Sequence, residues 1–453
     1  MIVNRSQLPE ARRGRPFIFP AIEKSRLPNG LHVWTVRHAA VPVVTSILLV
    51  RRGSASDPPG KEGLAAITLD MLDEGSGGRS AIEMHEALAR LGAQFDNDIG
   101  SDGSALSVTT LSRFAGQGLA IVADMAARPS LADADFARVR QLRLHRLTQL
   151  RDIPGAVADR AFVRLLYGDH PYGHTPMGSE PSLAGMTVDD VRAFHANEMT
   201  PSIATLITVG DCEHEEIRRL AGDAFGGWHG AAQDLAVRDE SPAAAARLHV
   251  VPRPGAPQSE LRIGQVSAAR HTEDYHALVA ANMVLGGQFV SRINLNLRED
   301  KGLTYGARTA FDFRRMKGPF SLQVSVQTAG TARAIAESLD EIAAIRGPRP
   351  ITEAELALGV AALTRGYARS FETPEQIARA AMQIALYDLP DDYFAQYVPR
   401  VEAVTAAEAT AAAARHLDPS RLVTLVVGDL DAIGPDLERL GLGQPIVLSA
   451  TTF

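Results

Sequence analysis

Hydrophobic and polar positions along this chain change period many times, and the changes outline its elements. Residues 31–36 and 43–51 are β-rich runs, and the first is joined to 21–26 across Pro28-Asn29-Gly30, a hairpin turn signal. Residues 104–111 alternate as a strand. Helical spacing predicts helices over 64–72, 81–91, 114–127, 133–151 and 154–166. Asp133 has N-cap chemistry, and Pro154 suits a first helical turn, where a missing backbone N–H costs nothing. A strand over 203–209 and a helix over 215–224 close the first half. Strands in two groups around helical stretches predict an α+β fold in which helices cover a largely antiparallel sheet.

The second half repeats the first. Thr200-Pro201-Ser202 opens an apolar run ending at Gly210-Asp211, and Asp418-Pro419-Ser420 opens one ending at Gly428-Asp429. In nearly the same register residues 131–136 match 351–356, Pro154 matches Pro374, and 186–191 match 404–409. Landmarks kept in step over such a length indicate a duplication, and hence two tandem homologous α/β-sandwich lobes. Residues 230–246, Ala-rich with Gly and Pro and without periodicity, read as the linker between a lobe over 1–229 and a lobe over 247–453.

Composition narrows the classes. A chain of 453 residues is too long for one ordinary core, and 45% hydrophobic with 22% charged residues is usual for a globular protein. A net charge of −7 leaves no footprint for nucleic acid or anionic lipid. The single cysteine, Cys212, excludes an internal disulfide and a cysteine-built metal site. The apolar run at 41–50 is broken by Pro42, Thr45 and Ser46, so no membrane span is expected. With no signal-like stretch near the N-terminus the expected location is cytoplasmic, or periplasmic if translation starts upstream.

Segment 285–307 concentrates the chemistry. Gly286-Gly287 precede Arg298 and Tyr305, which flank a turn at Gly302. An arginine offers several fixed donors and a tyrosine one neutral hydroxyl, so together they can hold peptide carbonyls. Glycine pairs let backbone approach a ligand closely, yet neither this pair nor Gly75-Ser76-Gly77-Gly78 ends as a phosphate loop. The second cluster reads as a helix stop. Taken singly, such an arginine makes surface ion pairs, and a tyrosine at a strand start is half-buried packing.

Three further stretches carry a resemblance: Gly63-Leu64-Ala65 with Met71-Leu72, His170-Pro171-Tyr172-Gly173, and Pro254-Gly255-Ala256-Pro257-Gln258. With the Arg298/Tyr305 segment they make the chain resemble the pitrilysin/insulinase-like metallopeptidases, the inverzincins, in their short two-lobed form. Members carry His-x-x-Glu-His on a helix, with both histidines on one zinc. In this alignment the first histidine falls on Ala66, the glutamate base on Leu69 and the second histidine on Asp70. The distal glutamate ligand falls near His145 or Arg146. None of these positions carries the family's residue, so no metal is expected in this chain.

The resemblance then implies a zinc-lacking subunit of a heterodimer, inactive alone. Arg298 and Tyr305 would act in trans beside the zinc of a homologous partner subunit, on peptides or unfolded proteins. Gly286 and Gly287 would line the substrate chamber. The alternative is a non-catalytic scaffold or substrate-recognition homologue of the core-protein kind. Among other ligand types, Asp70 with His145 would make at most a weak metal site. His170 and His174 read as surface histidines of a turn, and Cys212-Glu213-His214 as a short tract of potential ligands.

Overall fold

The computed structural model describes residues 17–233 and 247–449. In the first half, strands β1 (Glu23–Arg26), β2 (His32–Arg37) and β3 (Val43–Val50) precede a two-strand ribbon, β4 (Gly75–Ser76) and β5 (Arg79–Ser80). Then come β6 (Gln94–Ile99), β7 (Ser104–Leu111) and β8 (Ala204–Gly210), and the sheet has the order β1-β2-β8-β3-β7-β6. The second half supplies β9 (Leu248–Pro252), β10 (Gln258–Val266), β11 (Ala307–Phe311), β12 (Pro319–Gln327), β13 (Val423–Gly428) and β14 (Ile446–Val447). Its order is β11-β12-β10-β13-β9-β14. Read inward from β6 and from β11, both sheets have the same five-strand arrangement, including one parallel pair, β2 with β8 and β9 with β13. The α+β class and the duplicated lobes expected from sequence are both present. The proposed linker lies, from residue 234 to 246, outside the described residues.

Strand β3 is buried along almost its whole length because both of its faces are covered. Val44, Leu48 and Val50 enter a core with the first half's own helices, including Ala115–Ala127. Ile47 and Leu49 point the other way, against Ile377, Ala381 and Ile384 of helix Pro374–Leu386, which belongs to the second half. The reverse holds for the second sheet. Val423, Leu425 and Val427 of β13 meet Val157, Ala161 and Phe162 of helix Pro154–Tyr167, from the first half. Each half thus lends one helix to the other's sheet. Pro154 and Pro374, matched in sequence, both stand at the first turn of these exchanged helices.

A hairpin loop reinforces the exchange. The Asp102 carboxylate accepts from the Tyr172 hydroxyl and, at 2.9 Å, from the Arg315 backbone N–H. Met316 N–H donates to the Tyr172 oxygen at 3.3 Å, and the Tyr167 hydroxyl donates to the Lys317 carbonyl at 2.8 Å. Burial pushes both phenols up in pKa, so they stay neutral donors.

Some local expectations change. Helix Asp133–Arg151 starts with Asp133 as its first residue and Ala132 at the cap position, with no side-chain cap bond. Gly75 to Gly78 is no simple helix stop: helix Leu64–Asp70 has already ended, and the glycines form the β4–β5 turn. Gly77 has φ +61, and a Cβ there would lie 2.2 Å from the Asp124 carboxylate, which Arg79 also contacts at 2.8 Å. Strand β6 and helix Val188–Glu198 were not read from sequence. The first is polar on its open side; the second is set by a Thr187/Asp190 capping box.

Candidate functional site

Arg298 and Tyr305 sit on a turn that the chain holds firmly from below. After helix Tyr275–Asn282 the backbone widens into a π-helical stretch, Met283–Gly287, and a second one, Leu295–Asp300, carries Arg298. Such widened turns are frequent at functional sites. Gly302, at φ +62, reverses the chain, so that its N–H reaches the Arg298 carbonyl at 3.2 Å and the Leu303 N–H the Leu297 carbonyl at 2.8 Å. The Thr304 hydroxyl donates to the Ser325 carbonyl at 2.7 Å and accepts from Gly306 N–H at 3.1 Å.

Beyond the turn, Asn294 does what a neighbouring strand would do. Its side-chain oxygen accepts from Ala307 N–H at 2.8 Å, and its NH2 donates to the Ala307 carbonyl at 2.9 Å. Asn282 donates to the Thr309 carbonyl at 3.1 Å. Two asparagines therefore satisfy outward-facing backbone groups of edge strand β11 at these points and blunt it as a docking edge. Neither asparagine was singled out from sequence; their spacing from the Arg/Tyr segment is the only signal, and it is faint.

Between these fixed shoulders the Tyr305 side chain is 94% exposed and makes no hydrogen bond or ring contact among the described residues. Half-buried packing is thus not its role. The Arg298 guanidinium lies 3.7 Å from the Phe289 ring centroid and 3.3 Å from Glu299, and its Nη1 is enclosed without a hydrogen-bond partner. Gly286 is buried, and a Cβ there would lie 2.6 Å from the Thr309 hydroxyl oxygen; one on Gly287 would lie 2.7 Å from the Asn282 amide nitrogen. Close packing of the widened turn on β11 is therefore one physical reason for this glycine pair.

The helix aligned with the zinc motif has another fate. Ala66 and Leu69 are buried, and the Asp70 carboxylate meets the Arg143 guanidinium at 2.5 Å. Arg143 also donates to the Pro176 carbonyl at 2.6 Å. These residues do not fit a zinc ion: two are apolar and the third is neutralised by a fixed cation. The pairing of Asp70 with His145 considered from sequence is corrected. His145 bonds Gln141 at 2.8 Å and Arg146 faces Gln149, because the side of helix Asp133–Arg151 facing Asp70 is the one bearing Arg143 and Leu147. Among the described residues no three His, Cys, Asp or Glu side chains come together as a metal site.

The remaining candidate ligands are dispersed by the fold. His174 is no surface residue: its side chain is 16% exposed and bonds the Ser54 carbonyl at 2.9 Å and Asp57 at 3.0 Å. Asp57 in turn accepts from the Gly63 and Ala65 N–H groups, each at 2.7 Å, and so holds the start of helix Leu64–Asp70. His170 Nδ1 accepts from Tyr172 N–H at 3.0 Å. Burial pushes the Cys212 thiol up to about 12, Glu213 pairs with Arg37, and His214 meets the Thr35 hydroxyl at 3.0 Å.

Sequence comparison matches residues 32–178 to the family described as Insulinase (Peptidase family M16), and residues 185–363 to Peptidase M16 inactive domain. The chain belongs to peptidase family M16. An uncharacterized zinc protease of Mycobacterium bovis is 25% identical over 438 residues, covering 93% of this chain and 96% of its own. One from Streptomyces coelicolor is 24% identical over 291 residues, 63% of each chain. Among solved structures, a peptidase M16 inactive domain from Pseudomonas fluorescens superposes with a TM-score of 0.85 at 24% identity, over 90% of this chain and 98% of its own. A protease from Helicobacter pylori gives 0.83 at 19% identity, over 90% and 99%. The M16 fold is thus shared across both lobes. Among the described residues of this M16 protein no helix is long and apolar enough to cross a membrane.

Proposed function

We propose that this M16 protein is the zinc-lacking subunit of a two-chain peptidase and supplies Arg298 and Tyr305 to substrate bound beside the metal of a homologous partner. The observation that carries this reading is the Arg143–Asp70 pair at the position of the metal motif, in a chain that still presents Tyr305 to solvent. The names of its zinc-protease relatives support the chemical class. The partner would bring the metal that activates water. The Tyr305 hydroxyl would donate to the scissile carbonyl oxygen as charge builds there, which in comparable sites contributes about 3 kcal/mol. Arg298, whose Nη1 is enclosed, would hold neighbouring carbonyls of an extended peptide with its remaining in-plane donors, and Gly287, beside the buried Gly286, would border the chamber.

Metal analysis beside a quenched-peptide assay tests the proposal. The purified chain should hold no stoichiometric zinc and cleave nothing, and adding a homologue with an intact His-x-x-Glu-His helix should produce cleavage. Activity of the chain alone overturns the division of labour. Assembly without cleavage would favour a scaffold.

A further inference from the structure

We infer that Phe289 is the positioning residue of Arg298 and that its ring forms a platform for a bulky apolar side chain of an extended peptide; this deepens, and rests on, the function proposed above. Phe289 is 64% exposed, so its ring is open to a ligand. The Arg298 Cζ lies 3.7 Å from its centroid. A ring on one face of the guanidinium leaves the in-plane N–H groups other than the enclosed Nη1 for carbonyl oxygens. Without the ring, Arg298 would keep one anchor, the Glu299 carboxylate at 3.3 Å, itself half exposed.

The loop that carries Phe289 is tied to the turn that carries Tyr305. The Asn294 NH2 donates to the Gln288 carbonyl and to Ser291 Oγ, each at 3.1 Å, while the same amide brackets Ala307. One buried amide thereby sets the mutual placement of residues 288–291, the Arg298 helix and the Tyr305 turn. Val290, next to Phe289 in the chain, and Leu295, on the stretch that carries Arg298, are also exposed apolar side chains. Donors for main-chain carbonyls next to an apolar surface select an extended peptide with a large apolar side chain.

The test uses the complex of this chain with its zinc-bearing partner and two quenched peptides that differ by Phe or Ser beside the scissile bond. Phe289→Ala should lower kcat/KM for the Phe peptide roughly three- to ten-fold, mainly through KM, and affect the Ser peptide less. Phe289→Trp should restore it. Phe289→Ala and Arg298→Ala should be less than additive in a double-mutant cycle, whereas additivity, or a gain of activity in Phe289→Ala, overturns the inference. If Arg298→Ala impairs cleavage and Phe289→Ala does not, the inference fails while the proposed function stands. If Arg298→Ala has no effect, the proposed function fails too. In the isolated chain, the Arg298 side-chain NH resonance should be shifted upfield by the ring and lose that shift in Phe289→Ala. An unshifted resonance in the unaltered chain also overturns the inference.

Discussion

Replacing Arg143 with methionine tests whether a guanidinium has taken over the metal's place as the link between two helices. Arg143 joins helix Asp133–Arg151 to Asp70 at 2.5 Å and to the Pro176 carbonyl at 2.6 Å. Its side chain is 12% exposed, whereas Asp70 is 36% exposed and can rehydrate when its partner leaves. The ion pair is therefore screened and contributes about 1 kcal/mol rather than the larger value of a sealed pair. The bond to Pro176 adds about 1 kcal/mol, and methionine keeps most of the side-chain volume. Arg143→Met should thus cost about 2 kcal/mol in urea denaturation, and a cycle with Asp70→Asn should show a coupling of about 1 kcal/mol. A cost below about 0.5 kcal/mol, the range of an ordinary surface change, would refute the reasoning. So would full additivity. A companion test combines Ala66→His, Leu69→Glu and Asp70→His while keeping Arg143. Zinc should still not bind stoichiometrically, because the guanidinium stays beside the donors, and a tightly held zinc would show the pair to be no obstacle.

Tyr305→Phe in the two-chain enzyme should lower turnover by about 100-fold, as loss of an oxyanion donor does, and leave the melting temperature unchanged because the side chain packs on nothing. Unchanged turnover would remove Tyr305 from the mechanism. Arg292 holds Glu355 at 2.7 Å and depresses its carboxyl from 4.5 to about 2. The folded-state value lies below the ordinary one, so this stabilisation is present above pH 4.5 and is lost as pH falls through about 2. Glu355→Gln should erase that part of the acid dependence in pH-stepped melts, and an unchanged profile would discount the pair. The exchanged helices should make the two lobes unfold together, and Ile377→Ala, at a buried position of the helix packed on the first sheet, should cost about 3 kcal/mol in one cooperative transition. Two separate transitions would show that the exchange does not couple the lobes.

The sequence by itself determined the fold class and the duplication, because each rests on local pattern. Turn residues, helical spacing and matched landmarks such as Pro154 and Pro374 are written along the chain. That Ala66 and Leu69 carry apolar side chains needs only residue identity. Tertiary structure alone decided what each apolar face covers. Nothing in the period of helix Pro374–Leu386 says that its partner is β3 rather than β10, since any apolar stripe fits any apolar sheet until the whole chain is packed. The same reason hid Arg143, Asn294 and Phe289. Their roles depend on Asp70, Ala307 and Arg298, residues brought within bonding distance by folding. Pairwise contacts across space leave no trace in the period of a single chain, and the bonds of Thr304 and Ala307 on either side of Tyr305 are of that kind.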